Sequence, residues 1–293
     1  LDFFLQLALQ GVALGTVYAL VGQGLNVTFS TLKVVNFAHG SFLMIAVMIA
    51  LSALGAGLPL ALAMVVGIVA VAVLGIAVER IAIRPVLKNA GGLGWVVATL
   101  GAAIVIKAIA SDVYGAQPRA FPPVIFDATD FVSIAGVRMS LQLLLVAGVA
   151  LLVLALFELG VRHTTWGMVL RATSYDQESA RLRGIRVEWV VTASFVLSAA
   201  LAGLAGVLLA PITGVSPAFG MTLMLNGFAA AVVGGMGSSL GALVGGVLVG
   251  ATELLVGGYI STAAQHAVAF TVLVLVLMVR PGGLFGAREV QKV

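Results

Sequence analysis

Cysteine is absent from this 293-residue chain, and charge is scarce: Asp, Glu, Lys and Arg together make up 9% of it. The first absence excludes disulfides and thiolate metal sites without naming a compartment. The second excludes an ordinary soluble domain, whose surface draws on roughly 25% charged residues. No Gly-x4-Gly-Lys-Ser/Thr phosphate loop occurs in the sequence, so the chain has no ATP-binding motif of its own. His39, His163 and His266 stand far apart. No His-x3-His pair, no Ser with a Lys and no paired intramembrane Asp offers an enzyme's centre, so neither a catalytic residue nor a metal is expected.

Apolar residues make up 61% of the chain. They fall in blocks at about 3–28, 38–55, 58–78, 95–111, 140–157, 190–211, 221–236, 239–257 and 262–279. Such runs approach the ~20 residues a helix needs to cross ~30 Å of hydrocarbon. Leu58 to Val78 is apolar on every face, whereas a barrel strand alternates apolar and polar positions over about 10 residues. The expected fold is therefore all-α, a polytopic transmembrane helical bundle of about eight or nine membrane segments. It occupies residues 1–293 as one domain in the lipid bilayer. The opening LDFFLQLALQGVALG lacks a basic region and a small-residue cleavage site, so it reads as the first span and not as a removable signal peptide.

Lys and Arg gather in three places: Glu79-Arg80 through Arg84 to Lys88, Arg162 through Arg186, and Arg280 through Arg288 to Lys292. The positive-inside rule makes these cytoplasmic. The connection from Asp112 to Arg138, with Asp127, Asp130 and the turn Phe121-Pro122-Pro123, belongs on the other side. This arrangement puts the N-terminus outside and the C-terminus in the cytoplasm. The net charge of +4 is dispersed over loops and not grouped with aromatics on one face, so nucleic acid is not a partner.

Glycine recurs inside the blocks, as in Gly241, Gly245, Gly246 and Gly250, where small residues let helices approach closely. Gly234 to Ser239 lies between blocks too closely spaced for a long loop, and a tight turn or re-entrant break is expected. A weak internal echo sets Asn36-Phe37-Ala38, Gly55 to Gly57 and Glu79 beside Asn226 to Ala229, Gly234 to Gly237 and Glu253. Asn26, Asn36, His39 and Asn226 lie in or beside the spans, as helix-to-helix hydrogen bonds or as the solute pathway. Lys107 and Glu253 stand at similar depth near the outer ends of their blocks. A charge at mid-bilayer costs about 2.5–3.5 kcal/mol on insertion scales, so the two are expected to snorkel or to pair with each other.

One polar stretch between spans, about 160–189, carries the strongest local signal. From Arg171 to Leu182 it reads as a single amphipathic helix that Gly184 stops. Small Ser179 and Ala180 suit close contact, and Arg181, Arg183 and Arg186 suit an acidic groove rim. On charge alone, an ordinary positive-inside loop explains it equally well.

Glu178-Ser179-Ala180 followed by Gly184 resembles the EAA-x3-G loop of ABC importer permeases, with Ser in place of the second Ala. Further stretches follow in order: Gly24-Leu25-Asn26, Val34-Val35-Asn36-Phe37-Ala38-His39-Gly40-Ser41-Phe42, Ser198-Ala199-Ala200-Leu201-Ala202-Gly203, Gly234-Gly235-Met236-Gly237-Ser238 and Arg280-Pro281-Gly282-Gly283-Leu284-Phe285-Gly286. Together they resemble the permeases of branched-chain amino-acid type ABC importers along nearly the whole chain. An Ile-x-Leu-Pro element of the broader importer pattern is missing after Gly184.

The resemblance implies a multi-pass permease of the bacterial inner membrane, importing branched-chain or related amino acids. It implies a short cytoplasmic coupling helix at Glu178, Ser179, Ala180, Arg181 and Gly184. It also implies cytoplasmic ATPase subunits that bind the ATP, a second homologous permease and an extracytoplasmic solute-binding protein, with no cofactor on this chain. The alternative is a secondary transporter or channel for a small polar solute, which should show intramembrane carboxylates or a ring of pore charges.

Overall fold

The computed structural model of the protein describes residues 2–89, 93–126, 130–134 and 137–286. Asp127, Arg288 and Lys292, three of the charges that orient the chain, lie outside these residues, as does the Lys88 side chain. In chain order the elements are α1 (Asp2–Leu32), α2 (His39–Gly55), α3 (Leu60–Val78), a π-helical turn (Glu79–Ile83), α4 (Arg84–Asn89) and α5 (Gly94–Tyr114). A hairpin of β1 (Phe131–Ile134) and β2 (Val137–Ser140) leads into α6 (Leu141–His163), α7 (Thr165–Tyr175) and α8 (Gln177–Leu182). The chain continues through α9 (Val187–Thr213), α10 (Phe219–Gly234), α11 (Ser239–Tyr259) and α12 (Thr262–Val279).

Six helices are long and apolar enough to cross a membrane: α1, α3 with its continuation to Val86, α5, α6, α9 and α11. Among the described residues three shorter apolar helices join them: α2, α10 and the Ala267–Val279 part of α12. The protein is thus an all-α, polytopic membrane bundle with nine apolar segments, matching the sequence blocks one for one. An odd number of passes is what an outer N-terminus and a cytoplasmic C-terminus require.

Lipid offers no hydrophobic drive between helices, so close backbone contact holds the centre together. α1 is buried from Gly11 almost continuously to Thr28. It runs antiparallel to α11, with Gly11 against Gly250 and Gly15 against Gly246. A Cβ on Gly15 would collide with the Gly246 carbonyl, and one on Gly246 with the Gly15 carbonyl. The seam therefore requires glycine on both helices.

α2 and α10 have only 17 and 16 residues, about 25 Å of helix each, and both start after a break inside the protein. The break before α2 is shielded, since Asn36, Ala38 and His39 are fully buried. Irregular backbone at membrane depth is tolerated in such surroundings. The two helix starts meet at Gly40 and Gly220, whose carbonyls each fill the space where the other's Cβ would go. The Met44 and Met224 Cβ atoms pack reciprocally on the same pair.

This reciprocity exposes an inverted repeat. One constant offset carries Gly40 onto Gly220, Met44 onto Met224 and Gly57 onto Gly237, the last two glycines having the same φ of 89°. α1–α2–α3 therefore corresponds to α9–α10–α11, with one hairpin turning at Gly57 on the outer side and the other at Gly237 beside the cytoplasmic end of α1. The sequence echo finds the right hairpins and turn glycines. However, its pairing of Asn36 with Asn226 and Glu79 with Glu253 is out of register, because Asn36 precedes α2 whereas Asn226 lies within α10.

Candidate functional site

The basic stretches converge at one end of the bundle, where α7 and α8 lie between α6 and α9. The expected single helix is interrupted at Asp176, whose backbone is extended at φ −157°. The cause is local. Asp176 Oδ1 accepts from the Glu178 and Ser179 backbone N–H groups at 2.9 and 3.2 Å, and Ser179 Oγ donates to Oδ2 at 2.7 Å. An aspartate at this position starts a helix, so α8 begins afresh at Gln177. An Asp directly ahead of a short polar helix is the signal that could have located this break in the sequence.

At its other end α8 closes as the sequence predicts. Gly184 takes φ +83°, its N–H bonding the Arg181 carbonyl, while the Ile185 N–H reaches the Ala180 carbonyl. This is the Schellman pattern, and Ile185 and Ala180 share an apolar cluster, as that pattern favours.

The faces of α8 are unequal. Glu178, Ser179, Arg181, Leu182 and Arg183 are exposed, whereas Ala180 is 3% exposed and packs with Ile83, Val187, Val191 and Phe195. The small size of Ala180 thus seats the helix on its own bundle, not on another chain. Arg181 bonds Glu188 of α9 at 2.9 Å, and Gln177 Nε2 donates to the Thr31 carbonyl at the end of α1. α8 is thereby tied to α1 and α9, the corresponding long helices of the two repeats.

Behind α8 lies a polar joint that sequence inspection did not single out. Glu79, 2% exposed in the π-helical turn, pairs with Arg84 Nε at 3.0 Å and accepts from Thr192 Oγ1 at 3.1 Å. A π-turn adds a residue to the helical cycle and re-aims the side chains around it. Here it turns Glu79 inward toward α9. Glu79, Arg84, Arg181 and Glu188 line a cavity of about 370 Å³ beneath α8.

Most of the expected pathway residues have specific local partners. Asn26 Nδ2 donates to the Ser238 carbonyl and its Oδ1 accepts from the Gly237 N–H, so it clasps the α10–α11 turn. Asn36 Oδ1 accepts from the Ala38 N–H, shaping the break before α2. His39 Nδ1 lies 3.1 Å from Ser198 Oγ, joining α2 to α9, and its ring fills the space over Gly24.

Asn226 is placed differently. It donates to Glu253 Oε2 at 3.3 Å and lines a cavity of about 420 Å³ near the outer end of the bundle. Gln265 Nε2 approaches Glu253 Oε1 at 3.4 Å, and Tyr18 lines the same cavity beside Glu253 and Asn226. The expected Lys107–Glu253 pair is not formed. Lys107 lines a separate cavity of about 190 Å³ with Phe37, Ser41 and Pro217, while Glu253 draws on amides and a phenol. Similar depth in two helices does not bring side chains together when their helices do not adjoin.

Known proteins resemble this chain over nearly its full length. A family model described as branched-chain amino acid transport system / permease component matches residues 7–279. The high-affinity branched-chain amino acid transport system permease protein LivH of Escherichia coli strain K12 is 34% identical, over 99% of this chain and 98% of that protein. The permease protein BraD of Pseudomonas aeruginosa is 31% identical over the same shares. A probable branched-chain amino acid transport permease protein LivH from Methanocaldococcus jannaschii is 30% identical over 91% of this chain and 88% of that one.

Proposed function

The chain belongs to the family of permease components of branched-chain amino acid transport systems, and on that premise we propose that it carries branched-chain or closely related amino acids. It is a membrane-spanning translocation subunit of an ABC importer, without an ATP-binding motif of its own. In the proposed assembly it pairs with a second homologous permease, receives solute from an extracytoplasmic binding protein and is driven by two cytoplasmic ATPases that bind the ATP. The alternative of a secondary transporter or channel has no support from the family.

The observation that carries the coupling half of this reading is the build of α8. It is capped at both ends, anchored through Ala180 to the bundle and exposed along Glu178, Ser179, Leu182 and Arg183. In the proposed mechanism the ATPases grip that exposed face. Their closure on ATP displaces α8, and the ties to Thr31 and Glu188 pass the movement to α1 and α9. Because these two helices correspond under the inverted repeat, one push biases both halves of the bundle.

Co-purification tests the docking. The native chain retains the ATPase subunits and supports ATP-dependent leucine uptake in proteoliposomes, whereas Glu178→Arg loses both. Retention of the ATPases by Glu178→Arg would remove α8 as the docking element.

A further inference from the structure

We infer that the cavity beneath α8 is a regulatory site for a zwitterionic amino acid with an aliphatic side chain, which enters from the cytoplasm and slows import when bound. This rests on the proposed import function, under which the ligand is the transported solute acting from the side to which it is delivered.

The cavity lies at the end of the bundle where the basic stretches gather, which the positive-inside rule makes cytoplasmic. Packed interiors leave few voids larger than a water molecule, so a space of about 370 Å³ behind a helix is more than a packing defect. That volume falls within the roughly 300–1,000 Å³ typical of small-molecule sites. Its four charged residues, Glu79, Arg84, Arg181 and Glu188, are two of each sign. Such a lining favours neither a simple anion nor a simple cation, and suits a ligand that carries one charge of each sign. Leu32, Ile83, Val187 and Val191 complete it with an apolar wall for an aliphatic side chain.

The two ion pairs differ in what they leave open. Both Glu79 oxygens are engaged, Oε1 by Arg84 and Oε2 by Thr192, in the buried part of the cavity. Arg181 and Glu188 are more than half exposed, and their bond runs from Arg181 Nη2 to Glu188 Oε1. A guanidinium has five N–H donors and a carboxylate accepts on both oxygens, so this pair can bind a ligand without coming apart. In the bound state Arg181 donates to the ligand's carboxylate and Glu188 Oε2 accepts from its ammonium group. Glu79 stays paired throughout.

The effect on import follows from the place of the cavity in the fold. α8 forms one wall, through Gln177 and Arg181, and the end of α1, the π-helical turn and α9 form the others. Displacing α8 changes the shape of the cavity. A ligand that fits the present shape therefore binds this position of α8 best and opposes leaving it. The ATPases act by displacing α8, so an occupied cavity slows their work. The coupling is reciprocal, and closure of the ATPases on ATP weakens the ligand's binding.

The test uses the complete importer in proteoliposomes loaded with ATP, with the binding protein and labelled leucine outside. Leucine loaded inside is expected to slow the initial rate of uptake. Leucinol, which lacks the carboxylate, and isocaproate, which lacks the amine, each need about tenfold higher concentration for the same effect. Leu32→Phe fills the cavity from a residue outside the hydrogen-bonded ties of α8, so it keeps uptake into leucine-free vesicles and loses the inhibition. Glu188→Gln, compared with its own leucine-free rate, needs about tenfold more internal leucine. Inhibition of Leu32→Phe equal to that of the native chain places the internal leucine in the solute pathway and overturns the inference. So does uptake that internal leucine leaves unchanged, or leucinol or isocaproate acting as strongly as leucine. Should Leu32→Phe fail to assemble, Glu188→Gln and the ranking of the three compounds on the native complex decide. Uptake into leucine-free vesicles separates the two readings. Intact uptake without inhibition defeats this site alone, and absent uptake defeats the import function and this site with it.

Discussion

Among the described residues, the bundle buries two carboxylates, one toward each end, and holds them differently. Glu79, on the cytoplasmic side, faces a cation: Arg84 lies 3.0 Å away across a π-helical turn, with Thr192 of α9 on the other oxygen. Glu253, toward the outside, accepts from the Asn226 and Gln265 amides beside Tyr18 and borders the larger cavity. A carboxylate matched to an arginine is a structural fastener, whereas Glu253 is set among amides at a cavity wall. The contrast separates a charged fastener behind α8 from a polar network at the outer cavity.

The largest effect is expected from breaking the fastener. Glu79→Ala leaves Arg84 without its partner and should lower stability by about 2–4 kcal/mol, less than a fully buried pair because Arg84 is 35% exposed. Thermal unfolding of the purified protein reads this, and adding Arg84→Met should recover part of the loss. Glu253→Gln keeps the shape and should cost only about 1–2 kcal/mol in the same assay, because one amide must then face another donor. Equal losses for both would erase the distinction.

Smaller changes probe α8. Asp176→Ala removes the bonds to the Glu178 and Ser179 N–H groups and should cost about 1 kcal/mol, seen as faster amide exchange confined to α8. Arg181→Ala breaks a pair whose members are both more than half exposed, so stability should change by no more than about 0.5 kcal/mol. A loss of several kcal/mol there would mean that the surface tie, and not the Ala180 seat, holds α8 in place.

The membrane fold was legible because lipid imposes it: the apolar blocks predict eight or nine segments, and glycines in a row predict close seams. Gly184 was legible as a stop because only a positive φ closes α8 in that way. Asp176 was missed because the helical pattern runs through it and the capping bonds compete with it locally. Glu79 joins Thr192 from a distant part of the chain, and Tyr18 and Gln265 reach Glu253 from separate helices. Such meetings depend on packing that periodicity does not encode. Lys107 shows the converse, since matched depth implied a pair that helix placement forbids.

Coupling through α8 is tested most directly by matched glycines at opposite ends of the bundle. Gly184 and Gly57 are both exposed, both have positive φ (83° and 89°), and neither has an atom within 4 Å of a would-be Cβ. Gly184→Asp and Gly57→Asp therefore introduce similar backbone strain and the same charge. Measured by co-purification of the ATPase subunits, Gly184→Asp should lose them while Gly57→Asp retains them. Retention by both, or loss by both, would contradict the account.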